Sequence, residues 1–274
     1  MDRFAHSAAN LLAGNDRAAP TLECTLIGPR LAALRECVVA ITGADLAPVV
    51  NGSKAPMWTP IFLSAGDELG FGPRRSGCRA YIAVAGGVLA DRWLGSMSTN
   101  LMCARGGMHG RALVAGDVIS AGEAGTPPGA LLPKQLRPSY EDHTLRVVRG
   151  PHFARLVPES QRLLWTEIFT LGHDSNRMGY RLDGPRLQAP GEELLSFPLV
   201  TGAVQLPADG RPIVLMADQQ TAGGYPVVAT IVSASLPVAA QLAPGDELRF
   251  ADVSIEDALA ARAAQREALE SLTS

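Results

Sequence analysis

Ala65-Gly66-Asp67-Glu68-Leu69 is echoed by Ala115-Gly116-Asp117-Val118-Ile119 and again by Pro244-Gly245-Asp246-Glu247-Leu248. In each copy a glycine supplies the turn, an aspartate is placed to bond the backbone beyond it, and an apolar residue restarts an extended segment. This device recurs in compact β-barrels, and its occurrence in both halves of the chain predicts two related β domains. Around the first copy, Leu22–Ile27, Cys37–Thr42, Ile61–Leu63, Leu69–Phe71, Ala80–Ala85 and Leu113–Ile119 read as short strands. Turn clusters such as Gly28-Pro29 and Gly86-Gly87 separate them, and Asn51-Gly52 predicts a tight hairpin because both residues tolerate positive φ. In the second half Thr144–Val148, Tyr180–Leu182, Ala203–Leu206, Ile213–Met216 and Val227–Val232 read the same way.

Helices are few. One opens the chain after Asp2, with Phe4, Ala8, Leu11 and Leu12 on one face and Gly14 as its stop. A second is expected at Glu159–Leu171, and a third follows the capping box that starts at Ser254. Residues 121–141 read as a linker or long loop. The fold class is mainly β with a few helices (α+β).

Of 274 residues, 47% are apolar and 19% charged, which excludes a disordered chain and a coiled coil. The 28 glycines and 20 prolines fit many turns and short strands. A net charge of −3 argues against nucleic acid or an anionic membrane as partner. The apolar segment Val227–Leu236 is too short to span a bilayer, and Asp2, Arg3 and His6 interrupt any signal peptide. A soluble, cytoplasmic protein is expected. Cys24, Cys37, Cys78 and Cys103 form no C-x-x-C pair, and the five histidines have no ligand spacing, so no metal is expected. There is no P-loop and no G-x-S-x-G elbow. Neither Lys54 nor Lys134 sits in the Met-Lys-Met setting of a biotin carrier.

Two stretches concentrate chemistry. Ile213-Val214-Leu215-Met216-Ala217 runs into Asp218, Gln219, Gln220, Thr221, Ala222, Gly223, Gly224, Tyr225 and Pro226, with Gln205 on the preceding apolar run. Such a loop sets a carboxylate and several donors at a strand end, where glycine lets backbone approach a ligand. A glycine turn whose Asp218 satisfies local backbone amides is the competing reading. The second stretch, Gly172-His173-Asp174-Ser175-Asn176-Arg177-Met178-Gly179, offers a guanidinium for a carboxylate or phosphate. Its competing reading is a solvated loop with an arginine paired to Asp174 or Asp183. The basic turn at Arg74-Arg75 and the hydroxyl-rich Leu94–Asn100 could each line an anion site or equally be surface loop, the loop reading being favoured for Arg74-Arg75.

On Met1-Asp2-Arg3-Phe4-Ala5, Arg79-Ala80-Tyr81-Ile82-Ala83-Val84-Ala85-Gly86-Gly87, Leu94-Gly95-Ser96, Ser175-Asn176-Arg177-Met178-Gly179 and the Gln205–Pro226 stretch, the chain resembles the KipA-like family. Its members are the third component of bacterial ATP-dependent 5-oxoprolinase and are related to the carboxyltransferase region of urea carboxylase. The resemblance runs almost end to end. It implies two tandem cyclophilin-like β-barrel domains, residues 1–140 and 141–252, with a C-terminal helix over 253–274. Family members begin earlier, so either the natural start lies upstream or the first barrel lacks its N-terminal strand.

The implied reaction uses ATP and water to open the 5-oxoproline lactam to glutamate. The implied partners are two further subunits, one KipI-like and one LamB/YcsF-like, with ATP bound by the complex. Such a site needs donors for developing charge on an amide oxygen. Asp218, Arg177 and Gln205 are the candidate catalytic residues, and Ser175, Asn176, Gln219, Thr221, Gly223, Gly224 and Tyr225 the candidate substrate-binding ones. Asp218, Arg177 and the twin-glycine bend are expected to converge on one concavity where the two halves of the chain meet. Two other readings stand: carboxyl transfer from carboxybiotin carried by another protein, and a non-catalytic regulatory role.

Overall fold

Gly66, Gly116 and Gly245 take φ of 92°, 92° and 91°, so the repeated motif is one turn built three times. A computed structural model describes every residue except 128, 130, 193 and 274. In each turn the aspartate accepts the backbone N–H three residues earlier, from Ser64, Val114 and Ala243, at 2.8 Å each. The carboxylate thus bonds back into the turn and not, as expected, to the backbone beyond it. The first and last copies lead into strands; the middle one does not.

Two compact units share the chain, one made of Arg3–Arg137 with Ala268–Ser274, the other of Met1–Asp2 with Pro138–Glu267. In the first-half unit, α1 (Arg3–Leu12) precedes eight strands: β1 (Leu22–Thr25), β2 (Leu31–Ala32), β3 (Cys37–Asp45), β4 (Pro48–Val50), β5 (Ser53–Lys54), β6 (Pro60–Leu63), β7 (Glu68–Phe71) and β8 (Ser76–Val84). They form two four-stranded sheets, ordered β1-β8-β3-β6 and β2-β7-β4-β5. Asn51 (φ 50°) and Gly52 (φ 79°) close the β4–β5 hairpin as predicted. Leu22, Ile41, Ile61, Leu63 and Ile82 of one sheet meet Leu69 of the other in a common core. The helix α1 packs on β3 and β8, where Thr42 Oγ1 donates to the Ala5 carbonyl at 2.7 Å.

Leu113–Ile119, expected as a strand, is irregular. The Arg111 guanidinium forks onto both oxygens of Asp117 (2.7 and 2.8 Å), while Val114 and Val118 stay exposed. Local side-chain bonds thus replace a strand ladder. The excursion is closed at its base by the bridge Val88↔Ala121. Within 121–141 a short 3₁₀ turn covers Lys134–Leu136 and Leu132 is buried. Pro128 and Ala130, inside the expected linker, lie outside the described residues.

The second-half unit carries β9 (Thr144–Arg149), α2 (Pro158–Thr166), β10 (Phe169–Leu171), β11 (Gly179–Asp183), β12 (Phe197–Pro198), β13 (Ala203–Gln205), β14 (Ile213–Leu215), β15 (Ala222–Gly223), β16 (Val227–Ile231), α3 (Leu236–Gln241), β17 (Glu247–Asp252) and most of α4 (Ile255–Glu270). Seven strands close a barrel in the order β10-β11-β14-β13-β16-β9-β17. Burial alternates along β9, β11 and β17, as period-2 geometry demands of strands with one face inward. Leu145, Val147, Phe169, Leu182, Val204, Val214, Val228 and Phe250 fill the interior.

The helix expected over Glu159–Leu171 stops at Thr166. Phe169–Leu171 instead pairs with both β11 and β17, so ladder bonds on two sides outcompete helical ones. Half of the box before α4 forms: Ser254 Oγ accepts from the Asp257 N–H (3.0 Å), while the Asp257 carboxylate takes the Ser254 hydroxyl (2.6 Å) in place of the Ser254 N–H. No helix among the described residues is long and apolar enough to cross a membrane.

Candidate functional site

Strand β13 breaks the barrel's alternation, since Ala203, Val204 and Gln205 are all buried. Val204 points into the core, so Ala203 and Gln205 face outward and something must cover them. The cover is the two-stranded ribbon of β12 and β15, paired Phe197↔Gly223 and Pro198↔Ala222. Ala203, Leu215 and Val227 form a small apolar cluster on this outer face, with Phe197, Leu199 and Ile213 packed against it. The ribbon is prolonged by Leu199 N–H to the Thr221 carbonyl (2.9 Å) and by Thr201 Oγ1 to Gln219 Oε1 (3.0 Å).

Beyond Gln219 the same arm reaches Asp218. Arg177 meets it as a fork, Nε to Oδ2 at 2.9 Å and Nη2 to Oδ1 at 3.2 Å. The backbones are joined as well, Asp218 N–H donating to the Arg177 carbonyl at 2.9 Å. The Asp218 carboxylate is therefore held by a guanidinium and not by local amides, and Arg177 chooses neither Asp174 nor Asp183. Asp183 is taken by Arg211 at 3.1 Å. The pair is part-exposed, at 33% and 43% for the two side chains, so a ligand in solvent can reach it. Two of the carboxylate's roughly four lone-pair directions are used, leaving acceptor capacity for an incoming N–H.

Ser175 and Asn176 have local work. Ser175 Oγ accepts from the Arg181 N–H at 3.0 Å, and Asn176 Oδ1 from the Met178 N–H at 2.8 Å, which shapes the loop that presents Arg177. Thr221 and Tyr225 are exposed on or beside the ribbon. Gly223 and Gly224 have no positive φ; they are there for space. A Cβ on Gly224 would stand 2.8 Å from the Leu194 carbonyl oxygen, and one on Gly223 2.9 Å from Leu199 Cδ1.

The structure thus strings Asp218, Gln219, Thr221, Gly223, Gly224 and Tyr225 along one arm, with Arg177 clasping its start and Gln205 beneath its middle. One member escaped sequence reasoning. His152 Nδ1 accepts the N–H of Val227, the cross-strand partner of Gln205, at 3.1 Å, and its ring lies 5.1 Å from that of Phe197. Accepting at Nδ1 places the proton of the neutral ring on Nε2. In sequence His152 is just a histidine after Gly150-Pro151; only the fold brings it beside the ribbon. Among the described residues no cluster of His, Cys, Asp and Glu could hold a metal ion.

The family described as "Carboxyltransferase domain, subdomain A and B" matches residues 1–252. The chain is 36% identical to the C-subunit of the Escherichia coli 5-oxoprolinase, over 99% of this chain and 87% of that one. It is 32% identical to the urea amidolyase of Lachancea kluyveri, spanning 99% of this chain but only 16% of the relative. The crystal structure of the K. lactis urea amidolyase superposes with a TM-score of 0.93 at 29% identity, over 99% of this chain and 18% of that one.

Proposed function

The chain belongs to the family of carboxyltransferase domains with subdomains A and B, and on that premise we propose that it is one component of a 5-oxoprolinase that opens 5-oxoproline to glutamate. One observation carries this reading: the likeness to the C-subunit of a 5-oxoprolinase takes in nearly the whole of both chains, 99% of this one and 87% of the other. The reaction breaks the lactam C–N bond. A water oxygen ends on the carbonyl carbon as part of a carboxylate, and the nitrogen leaves with a proton. Driven by ATP, the carbonyl oxygen first takes the γ-phosphoryl group, releasing ADP and making its carbon electrophilic; one water adds, the C–N bond breaks to leave an acyl phosphate, and a second water releases phosphate. ATP comes with the complex, whose other members are KipI-like and LamB/YcsF-like.

Within this chain the Arg177–Asp218 fork is assigned to the reacting amide. Asp218 keeps a lone pair for the lactam N–H, and the Arg177 guanidinium both fixes the carboxylate and offers positive charge near the oxygen that gains it. The complex with its partners, assayed for ATP-dependent glutamate release, tests this. Asp218→Asn and Arg177→Ala are each expected to lower kcat by about 10²-fold while assembly persists. Full turnover by both assembled variants would remove the assignment.

The fold likeness to the K. lactis urea amidolyase, at TM-score 0.93, favours a second reading, carboxyl transfer from carboxybiotin to an amide nitrogen. The two separate cleanly in one assay. Turnover of 5-oxoproline with ATP and without biotin or bicarbonate supports the hydrolase; an absolute biotin requirement supports the transferase. Inactivity under every condition would leave the regulatory role.

A further inference from the structure

Residues 89–121 follow β8, the last strand of the first-half unit, and are closed at their base by the Val88↔Ala121 bridge. Among the described residues of this excursion no large apolar side chain is buried. A segment of that length in a folded domain ordinarily feeds a core, because burial offsets the entropy lost in ordering it. Here backbone pairing supplies the order. Asp91 and Gly107 exchange two N–H···O bonds (2.8 and 3.1 Å), Trp93 and Ser96 two (2.8 and 2.9 Å), and Asn100 and Arg105 two (2.8 and 3.2 Å). Gly106 lets the arms close, since a Cβ there would stand 2.5 Å from the Ser98 carbonyl oxygen. Three residues other than glycine take left-handed backbone: Leu94 (φ 48°), Ala104 (φ 51°) and His109 (φ 56°). L side chains resist that conformation, so the shape is held against local preference.

What this scaffold holds out is apolar. Leu94, 84% exposed, sits at the tip of the Trp93–Ser96 turn, and Leu101 (60%) and Met102 (74%) at the tip of the Asn100–Arg105 turn. Turn tips ordinarily carry Gly, Pro, Asn, Asp or Ser. Beside these tips Arg92 and Arg105 are exposed, and neither makes an ion pair among the described residues. Three arginines against two aspartates give residues 89–121 a net charge of +1, in a chain whose net charge is −3. Two copies meeting through this face would set one positive rim against another. A surface edged with carboxylates is the complementary one.

We propose that the 89–121 excursion is the docking element for another subunit of the complex, which receives Leu94, Leu101 and Met102 on an apolar surface whose carboxylate rim faces Arg92 and Arg105. The inference rests on the 5-oxoprolinase reading, which makes this chain one component among several, and deepens it by naming the face a partner takes. Turns already shaped lose less entropy on association than a segment ordered on contact. Their apolar tips leave water only when the partner covers them.

Calorimetry of the whole chain with purified KipI-like and LamB/YcsF-like subunits, each alone and both together, is the test. Leu94→Glu and Met102→Glu are each expected to raise Kd at least thirtyfold, as loss of an interface anchor does. The melt of the free chain should not move, because both side chains lie mostly in solvent. Arg105→Glu should raise Kd about tenfold and flatten its dependence on salt. Phe62→Glu, on β6 of the same unit and 75% exposed, is the control and should bind as the wild type does. Cys103, exposed on the same turn as Met102, gives a readout without substitution: its alkylation should slow at least tenfold on assembly.

Wild-type affinity in both Leu94→Glu and Met102→Glu would overturn the inference, as would unslowed alkylation of Cys103 in the assembled complex. So would a wild-type chain that binds neither subunit, or one that sediments as a dimer and is made monomeric by Leu94→Glu, which would give the face to a second copy. None of these readouts needs substrate. A complex that assembles through the excursion and leaves 5-oxoproline intact would remove the catalytic reading and keep the docking one.

Discussion

Asp2 shows how much one side chain can anchor. It is fully buried, and its Oδ2 accepts from Tyr140 Oη at 2.6 Å and from Gln241 Nε2 at 2.9 Å, both within the second-half unit. Asp2→Ala would remove the acceptor that both groups share, at about 0.5–1.5 kcal/mol for each lost bond. A fall in Tm of several degrees is expected, while Asp2→Asn, which keeps an acceptor oxygen, should lose less; equal melts for Ala and wild type would contradict the count. Thiol chemistry gives a second check at this scale. Burial, with Glu23 adding to it, pushes the Cys24 thiol up to about 12, whereas Cys103 is exposed. Alkylation at mildly alkaline pH should mark Cys103 in the folded chain and Cys24 only after denaturation, read by peptide mass.

At the level of elements the thrice-built turn is the most informative unit. A Cβ on Gly66, Gly116 or Gly245 would meet nothing within 4 Å, so replacement by alanine is opposed only by the backbone conformation. Left-handed backbone disfavours an L-residue by roughly 1–2 kcal/mol, so Gly245→Ala should destabilise by about that much in denaturant titration. Gly245→Asn should recover part of the loss, since asparagine tolerates this region. The aspartates add a pH dependence. The Arg111 fork, helped by the Val114 N–H, holds the Asp117 carboxyl below its ordinary value, and bonds from Asn51 and Ser64 do the same for Asp67. A depressed folded-state pKa stabilises above the ordinary carboxylate range and ceases to as pH falls through the lowered value. Amide protection at Val114 should therefore weaken below about pH 4, and in Asp117→Asn it should be weak already at neutral pH. Equal protection at pH 7 and pH 2 would count against the fork.

For the molecule as a whole, neither unit is a continuous stretch of chain. The barrel unit takes in Met1–Asp2, and the first-half unit takes in Ala268–Ser274, where Ala268 and Leu272 are buried. A cut near residue 137 therefore does not give two self-sufficient pieces. Residues 138–274 expressed alone should melt below the barrel of the intact chain, because Tyr140 and Gln241 lose Asp2. Truncation after Glu267 should lower the melt of the whole protein by exposing what Leu272 covers. An unchanged melt in both experiments would mean that the terminal segments contribute nothing to the units they join.

Period and punctuation in the sequence determined the β class, nearly every barrel strand, the Asn51-Gly52 hairpin and the cap of α4. These depend on neighbours in the chain and on a two-residue alternation that local chemistry sets. The two strand errors came from the same limit. Leu113–Ile119 has strand composition but no ladder partner, and Phe169–Leu171 has helix-compatible composition but partners on both sides. The motif around Asp218 and Arg177 was legible as chemistry, whereas their fork was not, because 41 positions separate them. Only the closed barrel put Gln205 on an outward face, laid a ribbon across it and brought His152 alongside. Burial of an outward-facing strand residue is decided by what folds over it, and that contact has no local signature.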